Sequence, residues 1–216
     1  MGELILVRHG ETAWSLSGQH TSYTDLPMTE RGESEARSLA PLLGDRRIGL
    51  TLVSPMARAR RTAELAGLDG LRATPDLREW NYGGYEGITT AEIHRTRPGW
   101  DLWTDGTVPG PDGRPGESPA DVGHRADRVL TEALEGLRSG DDVALVSHAH
   151  FLRVLTARYL GLAPAAGALF HLSTGTVSRL GMEHDRPVIT AWNLALPESV
   201  LRAERQKENA ARPARP

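Results

Sequence analysis

Leu4-Ile5-Leu6-Val7-Arg8-His9-Gly10-Glu11-Thr12 is the stretch that sets the architecture. Four apolar residues in a row are enough for a buried strand and too few for a helix. A strand covered on both faces of a parallel sheet carries such an unbroken apolar run. Open α/β sheets bind their ligands beyond the carboxyl ends of their strands. The run stops at Arg8 and His9, so both side chains are expected at a crevice, with Gly10 allowing a sharp turn.

Outward from this strand, similar junctions repeat. Ile48–Val53 reads as a second strand, ended by Ser54-Pro55. Pro55 suits the first position of a helix that runs from Met56 to about Ala66. Arg58 falls in its first turn and is expected to point back to the crevice, while Arg60 and Arg61 read as solvated charge. Leu71–Thr74 is a short third strand, followed by the aromatic, glycine-rich loop 77–87 with Glu79, Trp80 and Tyr82. Val143-Ala144-Leu145-Val146 is another strand. It ends in Ser147-His148-Ala149-His150 and passes into a helix, so a second histidine sits at a second strand-to-helix junction. Residues 168–172, 176–183 and 187–194 read as closing strands.

The remaining segments are simpler. Residues 13–28 are polar and aperiodic and read as a loop over the first strand end. Thr29 caps one helix carrying Ala36, Leu39, Ala40 and Leu43 on one face and ending at Gly44. Thr89 or Thr90 caps a short helix, and Ser118 caps a long one with Val122, Ala126, Val129, Leu130, Ala133 and Leu137 as its apolar stripe. Residues 98–117 read as an irregular excursion, or as a lid over the crevice. His20, His94, His124, His171 and His184 read as surface or helix residues, and Trp80, Trp100 and Trp103 as packing. The fold expected is an α/β/α sandwich around a mostly parallel sheet, as one domain over residues 1–197, with 198–216 a frayed or disordered tail.

Composition narrows the partners. A net charge of −3 gives no general affinity for nucleic acid or anionic membranes. There are no cysteines, which excludes disulfides and thiolate chemistry. No apolar run approaches the ~20 residues of a membrane span. The first strand begins with no basic and apolar leader before it, so a cytoplasmic protein is expected.

Converging strand ends would gather Arg8, His9, Arg58, Glu79 and His148. That set suits a phosphate monoester. Arginine presents rigid, permanently charged donors that match phosphate oxygens. Histidine is a competent covalent nucleophile, and a glutamic acid can protonate a departing alkoxide. No Gly-rich phosphate loop or Asp-rich magnesium site accompanies them. His148 and His150 have no carboxylate cluster nearby, so no metal is expected, and no cofactor.

The same residues resemble the histidine phosphatase superfamily, the phosphoglycerate mutase-like proteins. Arg8-His9-Gly10-Glu11-Thr12 matches its RHG[ED][TS] signature. Three further blocks follow in order: Ser54-Pro55-x-x-Arg58-Ala59-x-x-Thr62-Ala63; Leu77-x-Glu79 with Tyr82-Gly83 and Glu86-Gly87; and Ser147-His148-Ala149-His150. Together they cover roughly residues 3–195. The stretches 14–21 (WSLSGQHT), 79–83 (EWNYG) and 116–118 (GES) look closest to the branch with acid phosphatase-like and sedoheptulose-bisphosphatase-like enzymes. The resemblance implies that His9 becomes a phosphohistidine, that Arg8, Arg58 and His148 hold the phosphoryl oxygens, and that Glu79 donates the proton. Ser15 stands where many members have an asparagine that contacts phosphate. The resemblance places Gln19, Thr21 and Ser22 beside the substrate, with Tyr82 and the backbone at Ala149 as further contacts.

The expected partner is therefore a small-molecule phosphate monoester, and relatives suggest a possible homodimer. A phosphoglycerate mutase, which reuses the same phosphohistidine, is the first alternative. The 69 positions from Glu79 to His148 make a segment shorter and less basic than mutases carry. A non-catalytic binding module on the same fold is the second, but none of the five central residues is missing.

Overall fold

The computed structural model describes residues 2–197; the tail expected over 198–216 lies outside them. The strands are β1 (Leu4–Arg8), β2 (Ile48–Val53), β3 (Leu71–Ala73), β4 (Asp142–Ser147), β5 (Thr176–Glu183) and β6 (Arg186–Leu194). The helices are α1 (Ala13–Ser17), α2 (Glu30–Arg37), α3 (Ala40–Leu43), α4 (Ala57–Leu65), α5 (Thr90–Thr96), α6 (Leu102–Asp105), α7 (Pro119–Gly136) and α8 (Ala149–Tyr159).

The sheet order is β3-β2-β4-β1-β5-β6. β3, β2, β4 and β1 run parallel, and β5 and β6 extend the sheet antiparallel. Alternate residues of each strand face opposite sides, and two apolar cores follow from that. Leu4, Leu6, Leu52, Val143 and Leu145 pack with Val122, Ala126 and Val129 of α7 and Phe151, Leu152 and Leu155 of α8. Ile5, Val7, Val53, Ala144 and Val146 pack with Leu39, Leu43, Ala59 and Ala63 on the other side. The result is the expected three-layer sandwich with a mixed, mainly parallel sheet. No helix among the described residues is long and apolar enough to cross a membrane.

The structure departs from the sequence-based expectations at several points. The helix expected from Thr29 to Leu43 is broken between Arg37 and Ala40. Pro41 has no N–H to continue the ladder, and its ring collides with the carbonyl four residues back. The polar stretch after β1 holds α1, closed by a capping box in which Thr12 and Ser15 satisfy each other's backbone N–H groups. Residues 168–172 are not a strand. Pro164–Leu169 is a 3-10 turn, and the Leu172 carbonyl accepts from Nη1 of Arg8 instead of a ladder partner. Residues 98–117 contain α6 and dock on Trp80, whose Nε1 donates to the Glu117 carbonyl at 2.8 Å.

Gly10 is required for a reason other than a sharp turn. A Cβ there would lie 2.1 Å from the Gly32 carbonyl oxygen, and Gly10 does not adopt a positive φ. The end of β1 is pressed against the start of α2 backbone to backbone.

Candidate active site

The register of the sheet brings the two histidines together. Arg8 pairs with Ser147 across β1 and β4, so the next residues, His9 and His148, leave adjacent strands at the same level. Their ring centroids are 5.0 Å apart. Val53 pairs with Val146 on the other side of β4, which sets Ser54 beside His148.

His9 Nδ1 lies 2.8 Å from the Gly10 carbonyl oxygen. A carbonyl only accepts, so Nδ1 carries the proton and the Nε2 lone pair is free. Burial, then the charges of Arg58 and Arg8, hold the His9 pKa well below its ordinary value. The ring is therefore a neutral imidazole with its nucleophilic nitrogen unprotonated.

His148 is fixed in the opposite tautomer. Arg58 Nε donates to its Nδ1 at 3.3 Å, so its proton is on Nε2, which donates to Ser54 Oγ at 2.8 Å. Burial, then Arg58 and His9, keep this ring neutral as well. The Arg58 guanidinium also donates to the carbonyls of Thr24 and Ser22, at 3.1 Å each. That loop is held in turn by Glu86, whose carboxylate accepts from Ser22 N, Ser22 Oγ and Thr24 N. Arg8 has one guanidinium nitrogen on Leu172, and its buried Nε takes no partner among the described residues.

Glu79 is buried, and its carboxylate rests on the start of α8. Oε1 accepts from Trp80 N at 2.9 Å and Phe151 N at 2.8 Å, and Oε2 from His150 N at 3.1 Å. Helix N-termini attract anions through their unpaired N–H groups. The Ala149 N–H, one residue earlier, takes no protein acceptor among the described residues.

These groups frame a cavity of about 200 Å³ whose wall includes Arg8, His9, Glu79, Tyr82 and Ala149. Ser15, Gln19 and Thr21 also line it. The Ser15 hydroxyl, however, is committed to the Thr12 cap. Arg58 and His148 are fully buried behind His9 rather than on the wall. Ser22 is turned away onto Glu86, and it lines a second cavity bordered by 110–115. No residue of 98–117 lines the first cavity, so the lid expectation fails.

Six wall residues were not among the candidates, Thr12, Trp14, Gly18, His20, Thr90 and His150, and two of them are histidines. His20, expected on the surface, is buried against Tyr82, with ring centroids 4.7 Å apart. His150 lies 2.6 Å from Tyr82 Oη through Nδ1. Its place directly after His148-Ala149 was the available signal for His150. For His20 the available signal was its place between Gln19 and Thr21 in the stretch 14–21. Among the described residues no three His, Asp or Glu side chains gather as a metal-binding group.

Comparison with known proteins agrees with this architecture. The chain is 41% identical over 183 residues to an acid phosphatase of Mycobacterium tuberculosis, covering 84% of this chain and 87% of that one. It is 34% identical over 189 residues to the sedoheptulose 1,7-bisphosphatase of Saccharomyces cerevisiae, covering 73% and 67%. The solved structure of a Mycobacterium tuberculosis open-reading-frame product superposes with a TM-score of 0.84 at 39% identity, covering 90% of this chain and 98% of that one. The model of the histidine phosphatase superfamily (branch 1) matches residues 4–195, and the chain belongs to that family.

Proposed function

We propose that the protein is a phosphatase that hydrolyses small-molecule phosphate monoesters through a phosphohistidine at His9. The observation that carries this reading is the His9 Nδ1 contact with the Gly10 carbonyl, which leaves Nε2 as an unprotonated nucleophile on the cavity wall. Similarity to a protein named acid phosphatase supports it.

In the first step His9 Nε2 forms a bond to phosphorus as the ester P–O bond breaks. Arg8 and the Ala149 N–H take up charge on the equatorial oxygens, and Arg58 contributes its positive field from behind His9. Glu79, in its acid form, gives its proton to the departing alkoxide. In the second step water attacks phosphorus, its proton passes to Glu79, and the P–N bond breaks. Phosphate and the neutral His9 are regenerated.

The test is a rapid quench into base during turnover of p-nitrophenyl phosphate, with EDTA present throughout. Base preserves the acid-labile P–N bond. A phosphoryl group on the peptide carrying His9 is expected, with its loss and a roughly 10³-fold fall in turnover in His9→Ala. Wild-type turnover in that variant, or dependence on a divalent cation, refutes the reading. Phosphoryl transfer to 3-phosphoglycerate in preference to water would mark a mutase instead.

A further inference from the structure

The reaction gives roles to Arg8, His9, Glu79 and the Ala149 N–H and leaves the rest of the cavity wall for the alcohol of the ester. That remainder includes Trp14, Gln19, His20, Tyr82, Thr90 and His150. None of these carries a formal charge. Burial lowers the His20 pKa, and burial with Arg153 nearby lowers that of His150 well below the ordinary value, so both rings are neutral. Tyr82 stays a phenol, its pKa raised well above the usual range by burial and then by Glu79 and Glu86.

His20 has a defined polarity. Its Nδ1 lies 2.5 Å from the Ile88 carbonyl oxygen and so must donate. That leaves Nε2 as a lone pair with no protein partner among the described residues. The ring is clamped between Tyr82 and Trp100, at centroid distances of 4.7 and 5.8 Å, and cannot turn freely. A fixed acceptor of this kind takes a hydroxyl proton and repels a carboxylate or a second phosphate.

The cations in the neighbourhood are already committed. Arg8 is the only arginine on the described wall and belongs to the transferred phosphoryl group. Arg58 is buried against His148 and the carbonyls of Ser22 and Thr24. Arg153 donates to the Gly167 and Ala168 carbonyls and lies over the Trp103 ring at 4.5 Å, off the wall. A second anion would enter with no cation to pair and would face the lone pair of His20. Desolvating an unpaired charge there is strongly unfavourable.

Resting on the phosphatase reading above, we infer that His20 is a specificity-determining residue and that the site takes monophosphates of neutral, hydroxylated alcohols rather than substrates with a second anionic group.

A matched pair tests this. Glycerol 3-phosphate and 3-phosphoglycerate differ only in a terminal hydroxymethyl against a carboxylate. On the wild-type protein kcat/KM is expected to be about tenfold or more higher for glycerol 3-phosphate, as befits a site built to hydrogen-bond a hydroxyl. A ratio at or below one overturns the inference. His20→Phe keeps the ring and removes the acceptor, and it should bring the ratio toward one. A folded variant with an unchanged ratio overturns the role of His20. If the variant does not fold, the wild-type ratio decides. Loss of all phosphate release, including from p-nitrophenyl phosphate, would refute the phosphatase reading instead. A protein that turns over p-nitrophenyl phosphate but prefers 3-phosphoglycerate refutes only this inference.

Discussion

Arg58 Nε donates to His148 Nδ1 at 3.3 Å, and that contact fixes which nitrogen of His148 carries a proton. An arginine cannot accept, so Nδ1 must hold the lone pair and Nε2 the proton. His9 beside it has the reverse arrangement, with its proton on Nδ1. Two neutral rings 5.0 Å apart thus differ in tautomer because different neighbours hold them. One is left with a free nucleophilic nitrogen, and the other is tied at both nitrogens.

The Ser54 hydroxyl accepts the Nε2 proton that Arg58 dictates for His148, and it is fully buried. Ser54→Ala would leave a buried N–H without a partner, at a cost of about 1–3 kcal/mol. The urea midpoint should fall accordingly, and turnover should fall with it as His148 and Arg58 lose their shared orientation. An unchanged midpoint would mean that Ser54 is not the partner of His148 in solution.

Acid should affect activity and stability differently. In the free protein His9 stays neutral below its ordinary pKa, because burial and then Arg58 and Arg8 disfavour the imidazolium. Once substrate ionisation is corrected for, kcat/KM should therefore hold down to about pH 5.5, showing no loss near the ordinary histidine value of about 6.5. Stability runs the other way. His9, His148 and His150 all have depressed folded-state pKa values. Below about pH 6.5 the unfolded chain binds protons that the folded chain does not, so stability is lost as pH falls through that value toward the folded pKa values. The urea midpoint should therefore be lower at pH 5.5 than at pH 7.5. Urea unfolding at the two pH values measures it, and equal stability at both would show that the rings are not buried neutral.

Much of this site is legible in the sequence because it hangs on strand ends. The apolar runs Leu4–Val7 and Val143–Val146 end at the histidines, and parallel pairing in register does the rest. Arg58 is legible because it follows the end of β2 in the first turn of a helix. Pro55 is not the first helical residue, contrary to expectation: Met56 is the cap and Ala57 begins α4. What the sequence hides is the work of long-range contacts. His20 looks like an ordinary loop histidine until Tyr82, Trp100 and the Ile88 carbonyl surround it. Ser15 looks like a ligand until its hydroxyl closes the Thr12 cap. Leu172 looks like a strand residue until Arg8 claims its carbonyl.

Glu79 offers the sharpest separation of chemistry from architecture. Its carboxylate sits on the wall with the nucleophile, yet three backbone N–H groups already hold it. Those bonds anchor the loop 77–87 to α8, so any substitution perturbs structure as well as proton transfer. Glu79→Gln can keep its carbonyl oxygen on Trp80 and Phe151, but its amide nitrogen faces the His150 N–H and loses that bond. The two effects separate through the leaving group. An alkoxide needs a proton to depart, whereas p-nitrophenolate leaves readily as an anion. Because kcat/KM reports steps through phosphoryl transfer, it excludes slowed hydrolysis of the phosphohistidine. In Glu79→Gln, kcat/KM for glycerol 3-phosphate should fall about 10²–10⁴-fold, the usual worth of general acid catalysis. For p-nitrophenyl phosphate it should fall by about tenfold or less, with a burst of p-nitrophenol as the phosphoenzyme accumulates. Equal losses on both esters would make Glu79 a positioning residue for the loop and α8, and the proton would then have to come from another group.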